Sequence, residues 1–216
     1  MEKLKNLILA AAGIYRQPEL VDEIIALQEE LNQQIDKQIN QQKGLACQKG
    51  CSYCCYGWNV QMTIPEMLMV IRDLNSFSPE KRIKIADRIY EFSNLNDYNG
   101  VACPLLENSL CLVYESRPFI CRTYSSYDVS LCENRKEFVF PPFVEKIIKD
   151  IVLPFEENIE EPFRTLFETK VPISNIKFDY HRGLFYLNLA NTIKIIPTPE
   201  KTEIFPLEFA KKYLQT

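Results

Sequence analysis

Eight cysteines dominate the chemistry open to this 216-residue chain, and all of them fall between positions 47 and 132. The first group sits in "CQKGCSYCCYGW" as Cys47-x3-Cys51-x2-Cys54-Cys55, and the second is spread as Cys103-x7-Cys111-x9-Cys121-x10-Cys132. Thiolate is the form of cysteine that binds metal, and soft sulfur selects zinc, iron–sulfur clusters or Cu(I) over magnesium and calcium. A closed zinc site takes four ligands, and an iron–sulfur cluster is commonly held by four cysteines. His181 is the one histidine, so any such centre here is nearly all sulfur. Seven or eight donors exceed one mononuclear site, so either two metals bind or some thiols do other work. Four free thiols this close would oxidise readily unless buried or ligated. Cys132, taken alone, reads as a small buried hydrophobe.

The two groups predict a composite site, with one segment supplying three or four thiolates and the other folded against it. Four thiolates on a divalent zinc leave a net negative charge, which nearby cations or N–H groups would offset. Arg117 and Arg122, flanking Cys121, are candidates for that role or for holding an anionic substrate; the alternative is ordinary surface arginines paired with Glu115 or Glu133. Tyr53, Tyr56 and Trp58 flank the first group, where they would shield a metal from water or, the favoured reading, pack into the core. His181, beside Arg182, reads as a turn residue. No Ser-His-Asp arrangement, phosphate-binding glycine loop or carboxylate pair stands out.

The pattern resembles a known family. Cys47-x3-Cys51-x2-Cys54-Cys55, followed by "CPLLENSLCLVYESRPFICR", is similar to the YkgJ-like CxxCxxCC cysteine-cluster proteins, described as zinc- or iron-chelating and related to flagellin lysine N-methylase. The second stretch matches in order at Cys103-Pro104, Cys111, Tyr114, Arg117-Pro118, Cys121 and Arg122, so the resemblance covers about residues 45–125. It implies metal or cluster binding through Cys47, Cys51, Cys54, Cys55, Cys103, Cys111 and Cys121. Cys132 lies outside the matched pattern. Methyl transfer from S-adenosylmethionine to a protein substrate is carried over only weakly, since the methylase is larger and no methyl-donor site can be assigned here. The triplet Cys47, Cys51, Cys54 is also similar to that of radical S-adenosylmethionine enzymes. Its surroundings, a Gln-rich helix with little βα alternation, speak against that kinship.

Helices must position these thiols. Leu20, Ile24, Leu27, Leu31, Ile35 and Ile39 recur at helical spacing after Pro18, predicting a long amphipathic helix that ends near Gly44. "TIPEMLMVIRDL" carries a capping box, Thr63 with Glu66, and a buried stripe of Ile64, Met67, Leu68 and Ile71. "SPEKRIKIADRIYEF" starts again from Ser78 and Pro79, with Ile85, Ile89 and Phe92 on its inner face. Further helices are expected over "PFVEKIIKDIVLPF", ended by Pro154, and "NIEEPFRTLFETK". Near the C-terminus "KFDYHRGLFYLNL" predicts a small hairpin turning at Arg182-Gly183, and "TIKIIPTPEKTEIFP" an extended segment. The expectation is a mainly α single domain over 1–216, with cysteine-rich loops between helices.

Composition bounds the function. Apolar residues at 46% and charged residues at 25% are ordinary for a globular chain. The net charge of −4 argues against a broad nucleic-acid-binding face, and no apolar run is long enough to cross a bilayer. "MEKLKNLILAAAGIY" loosely mimics a signal peptide, but its apolar run is short, and it reads as the opening of the first helix. Clustered thiols point to metal or redox chemistry in the cytoplasm rather than to a disulfide framework. Three functions follow: a protein holding a [4Fe–4S] cluster or zinc, an S-adenosylmethionine-dependent enzyme acting on a protein side chain, and a thiol-redox or metal-handling protein.

Overall fold

A computed structural model describes residues 2–17, 19–48, 50–133, 140–189, 192 and 203–204. The chain is mostly helical with small antiparallel strand pairs. Helix α1 (Glu2–Arg16) buries Leu7, Ala10, Ala11 and Ile14, so the signal-like segment is part of the core. Helix α2 (Leu20–Asn40) follows; Pro18, between them, lies outside the described residues. Gly44 does take a left-handed φ of +81°, but the helix has already ended at Asn40.

The buried face of α2 is rotated from the expected stripe. Ile24, Leu31 and Ile35 are inside, but Leu27 is exposed, and Val21, Ile25, Gln28 and Asn32 take inner positions. Two amides tolerate burial because they satisfy each other. Gln28 Nε2 donates to Asn32 Oδ1 at 3.1 Å, and Asn32 Nδ2 reaches Met69 Sδ at 3.5 Å.

Strand β1 (Gln61–Thr63) runs directly into α3 (Ile64–Asn75), and the capping box forms as the sequence predicts. Thr63 N–H donates to Glu66 Oε2 at 2.7 Å. The predicted stripe is buried, and so are Pro65, Glu66, Met69 and Val70, because α3 is packed by α2, β1 and two C-terminal elements, the helix Arg164–Glu168 and the strand Leu184–Asn188. Helix α4 (Pro79–Ser93) starts at Ser78 and buries Ile85, Ile89 and Phe92. Together α3 and α4 carry the chain out from the first cysteine group and back to the second.

Strands β2 (Leu106–Glu107) and β3 (Leu110–Cys111) form a tiny hairpin, followed by the short helices α5 (Phe119–Thr123) and α6 (Val129–Glu133). The cysteines therefore do not all sit in loops. Cys54 and Cys55 lie in a 3₁₀ turn, Cys111 in β3, Cys121 in α5 and Cys132 in α6.

Pro154 does not end its helix. Helix α7 (Pro142–Ile147) widens into a π-helical turn, Ile148–Val152, and continues as α8 (Leu153–Glu157). A wider turn accommodates the ring and the missing N–H that would clash inside a regular α-helix. Helix α9 (Arg164–Glu168) leads to β4 (Lys170–Pro172), which pairs antiparallel with β1, Met62 opposite Val171.

The predicted C-terminal hairpin is present as β5 (Ile176–Asp179) and β6 (Leu184–Asn188), with Phe178 opposite Phe185. Gly183 takes φ +68° in its turn and donates to the Asp179 carbonyl at 2.7 Å. His181 is a turn residue, its N–H donating to Asp179 Oδ1 at 2.9 Å. Of the expected extended segment, β7 (Glu203–Ile204) pairs with β6; apart from Thr192, the rest lies outside the described residues.

Candidate metal centre

Backbone hydrogen bonds join the two cysteine groups. Cys103 N–H donates to the Cys55 carbonyl at 2.7 Å, and Gly57 N–H to the Val101 carbonyl at 2.9 Å, with Tyr56 and Ala102 in an antiparallel bridge. The composite arrangement expected from the spacing is built by this contact, which α3 and α4 make reachable.

Each thiol in the second group is held by its own local device. Cys103 and Cys111 bracket the β2–β3 hairpin, whose turn residues Asn108 and Ser109 have φ of 50° and 61°. Two consecutive left-handed residues match the twist of a two-residue hairpin. The Cys103 sulfur accepts the Leu105 N–H and the Cys111 sulfur accepts the Val113 N–H, contacts that stabilise negative charge on sulfur. Cys121 rides on α5, whose Phe119 N–H donates to Glu66 Oε1 at 2.6 Å. Glu66 thus caps α3 with one oxygen and anchors α5 with the other. Burial pushes its carboxyl above the ordinary value, against the opposing pull of the N–H donors from Phe119 and Thr63.

The thiols fall into two neighbourhoods. Cys103, Cys111 and Cys121 pack against the main apolar core. Each lies within electrostatic reach of Cys54, and Cys121 also of Cys103 and Cys111. Burial pushes Cys103 up to about 11, and raises Cys111 and Cys121 above the ordinary thiol value. Cys54 is raised as well, first by its hydrogen bond with Cys55 and then by burial. Cys47, Cys51 and Cys132 form the other neighbourhood. Cys132 is in reach of Cys47, Cys51 and Cys54, and Cys47 of Cys51 and Cys54. Cys132 is therefore not an isolated apolar filler, as its position in the sequence suggested.

Only one of the two arginines faces sulfur. Arg117 stacks over the Tyr114 ring at 3.9 Å and acts on Cys54 and Cys111, favouring their thiolates. Arg122 is a buried structural residue. It pairs with Asp36 of α2 and donates to the carbonyls of Glu115 and Arg117. Neither arginine pairs with the Glu115 or Glu133 carboxylate in the manner of ordinary surface pairs.

The aromatics divide. Trp58 is half-buried and packs against the main core as expected, whereas Tyr53 and Tyr56 are exposed; with Tyr124, Cys54 and Cys132 all three line a cavity of about 290 Å³. Trp58 Nε1 donates to the Cys54 carbonyl at 2.8 Å and its ring lies 5.7 Å from that of Tyr124.

Residues 46–142 match the CxxCxxCC family model. Its description is "Putative zinc- or iron-chelating domain". The match takes in just under half of the chain and runs beyond Cys121 to include Cys132. No curated protein and no solved structure matches the chain.

The donor set of the CxxCxxCC region fits a thiophilic centre: eight unpaired thiols, N–H donors to sulfur, and two arginines, Arg117 and Arg88, whose charge favours the thiolates of Cys54, Cys111 and Cys103. Among the described residues, no three cysteine, histidine, aspartate or glutamate side chains stand as a ready-made cage for an ion. The two cysteine segments are joined by the backbone, but their side chains do not converge on one point.

Proposed function

We propose that this protein binds a thiophilic metal through Cys47, Cys51, Cys54, Cys55, Cys103, Cys111 and Cys121, as an iron–sulfur cluster or as zinc. The observation that carries the reading is the 2.7 Å bond from Cys103 N–H to the Cys55 carbonyl, which joins the two cysteine segments. The match to a zinc- or iron-chelating description supports it. Cys54, Cys103, Cys111 and Cys121 would supply the four sulfurs that either occupant uses. A bound cluster supplies one-electron transfer; bound zinc supplies a cross-link that contributes directly to folding.

The electrostatics favour metal over free thiol chemistry. Thiols raised by burial are poor nucleophiles at neutral pH, because reactivity follows the thiolate. A metal ion reverses that balance by binding the thiolate and displacing its proton. Eight unpaired thiols suit a reducing compartment, and the reading places the chain in the cytoplasm. No described helix is long and apolar enough to cross a membrane.

A second reading, modification of a protein side chain with S-adenosylmethionine, rests on the aromatic cavity beside Cys54. Calorimetry separates the two, since that reading requires saturable binding of the cofactor to the metal-loaded protein. The metal reading is tested by metal analysis and visible absorption after anaerobic purification. It expects stoichiometric iron with sulfide-to-iron absorption, or stoichiometric zinc without colour. A folded protein free of metal under those conditions overturns it.

A further inference from the structure

Four aromatic side chains around one cavity take no part in the metal reading. Tyr53, Tyr56, Trp58 and Tyr124 line the space of about 290 Å³ beside Cys54 and Cys132. Its walls are held by specific contacts. Trp58 Nε1 donates to the Cys54 carbonyl at 2.8 Å, which orients the indole. The Trp58 and Tyr124 rings stand as adjoining walls, tilted by 43° with centroids 5.7 Å apart. Helix α6 contributes Leu131 and Cys132 to the lining and is fastened to the first cysteine segment twice. Ala46 N–H donates to the Ser126 carbonyl at 2.8 Å, and Tyr53 donates its hydroxyl to Glu133 Oε1 at 2.8 Å. The Ser126 side chain also hydrogen-bonds with Cys132.

Charge at this cavity favours a cation. Among the described residues its lining carries no lysine, arginine or histidine. Arg117, the cation in reach of Cys54, is stacked on Tyr114 outside it. Two carboxylates are bonded to lining residues from behind: Glu133 accepts the Tyr53 hydroxyl, and Asp97 accepts the Asn99 N–H at 3.0 Å. A phenol that donates to a carboxylate gains electron density in its ring, and a ring attracts a cation through that density. The lining also selects among cations. A primary ammonium or a guanidinium brings several N–H donors that need acceptors, whereas Glu133 and Asp97 lie outside the lining and the Cys54 carbonyl is taken by Trp58. A quaternary ammonium donates no hydrogen bond and carries its charge on a methylated surface, which suits aromatic walls.

We propose that this cavity is a binding site for a quaternary ammonium ligand of choline size, held against Tyr53, Tyr56, Trp58 and Tyr124 and drawn in by Glu133 and Asp97. Recognition is by cation–π attraction, so charge and not shape alone decides affinity. The inference does not rest on the metal reading. It differs from the S-adenosylmethionine reading of the same cavity in that the bound group is a methylated ammonium, not a methyl donor.

Trp58 is the one tryptophan in the chain, so its fluorescence reports on this cavity alone. The test is a titration of the reduced full-length protein with choline, and with the neutral analogue in which carbon replaces the quaternary nitrogen, read by fluorescence and by calorimetry. Choline is expected to bind saturably, and the analogue about tenfold or more weakly. Tyr53→Ala and Tyr56→Ala, both at exposed positions, should each weaken choline by about threefold or more, and Glu133→Gln by less. Fluorinated tryptophan at position 58 keeps the ring's shape and drains its density, so calorimetry should show choline weakening with each added fluorine while the analogue is unaffected. Equal affinity for choline and the analogue overturns the proposal, as does choline binding indifferent to fluorination or no saturable binding of choline. Saturable binding of S-adenosylmethionine at Trp58 without binding of choline also overturns it, and gives the cavity to the methyl-transfer reading.

Discussion

Cys103, Cys111 and Cys121 on one side, and Cys47, Cys51 and Cys132 on the other, share Cys54 as a neighbour and differ in almost everything else. The first three lean on the apolar core and either accept backbone N–H groups or ride a helix anchored by a buried carboxylate. The others are held at the rim through Ser126 and Tyr53. The comparison separates two environments that a cysteine count merges: desolvated sulfurs seated on the core, and sulfurs at the rim beside the aromatic cavity.

The largest effect should come from the deep side. Cys121→Ser is expected to abolish metal binding by the set of Cys54, Cys103, Cys111 and Cys121 and, with it, the stability the metal contributes, seen as equal thermal melts with and without chelator. Retention of a metal-dependent melt would erase the contrast.

Next is Glu66→Ala, which strands the N–H groups of Phe119 and Thr63. Each buried donor left unpaired costs about 1–3 kcal/mol, so a urea melt should show a loss of about 3 kcal/mol, with metal binding at Cys121 weakened through α5. Glu66 also gives a pH signature. Its native carboxyl is raised above the ordinary value by burial, so the native state holds the proton more tightly than the unfolded chain. Its stabilising share is complete below the unfolded pKa and is lost as pH rises through the native pKa. Glu66→Gln should flatten that part of the stability–pH curve.

Arg117→Ala removes the cation that favours thiolate at Cys54 and Cys111. Loss of such an outer-shell partner typically weakens metal binding about tenfold or more. The effect should be read in a competition titration with a chromophoric chelator. The raised thiols add a further signature: binding there releases their protons, so the affinity of the set should climb as pH rises.

The smallest effect expected is that of Tyr53→Phe. It removes the exposed hydrogen bond to Glu133, and should lower stability by about 1 kcal/mol or less in a urea melt while leaving metal binding by the core-seated thiols unchanged.

Much of this contrast was written locally and some of it was not. Thr63 with Glu66, and Ser78 before Pro79, announce their helices because capping uses residues three apart. The β5–β6 turn announces itself through Gly183. The β2–β3 hairpin escaped notice because its strands are two residues each and its turn is Asn-Ser rather than Asn-Gly. The inner face of α2 was misjudged because Gln28 and Asn32 look like surface residues until each is given the other as a partner. Arg122 looked exposed for the same reason: its partner, Asp36, lies on a helix far back in the chain. Cys132 was unreadable from spacing, since its neighbours Cys47 and Cys51 come to it only through Ser126 and Tyr53. The pairing of the two cysteine groups was legible; the division of labour among their sulfurs was not.

The bond from Cys103 to the Cys55 carbonyl also sets an order of events. Between those residues lie α3 and α4, whose own caps, stripes and turns specify a helical pair with no help from sulfur. Closing a loop of that length is entropically opposed unless the intervening chain is already structured. A nascent chain emerging as far as Trp58 therefore has thiols but no deep site; the site exists only after the helical pair has docked and brought Cys103 back. On the metal reading, loading of that site reports that assembly has finished and is not the event that starts it.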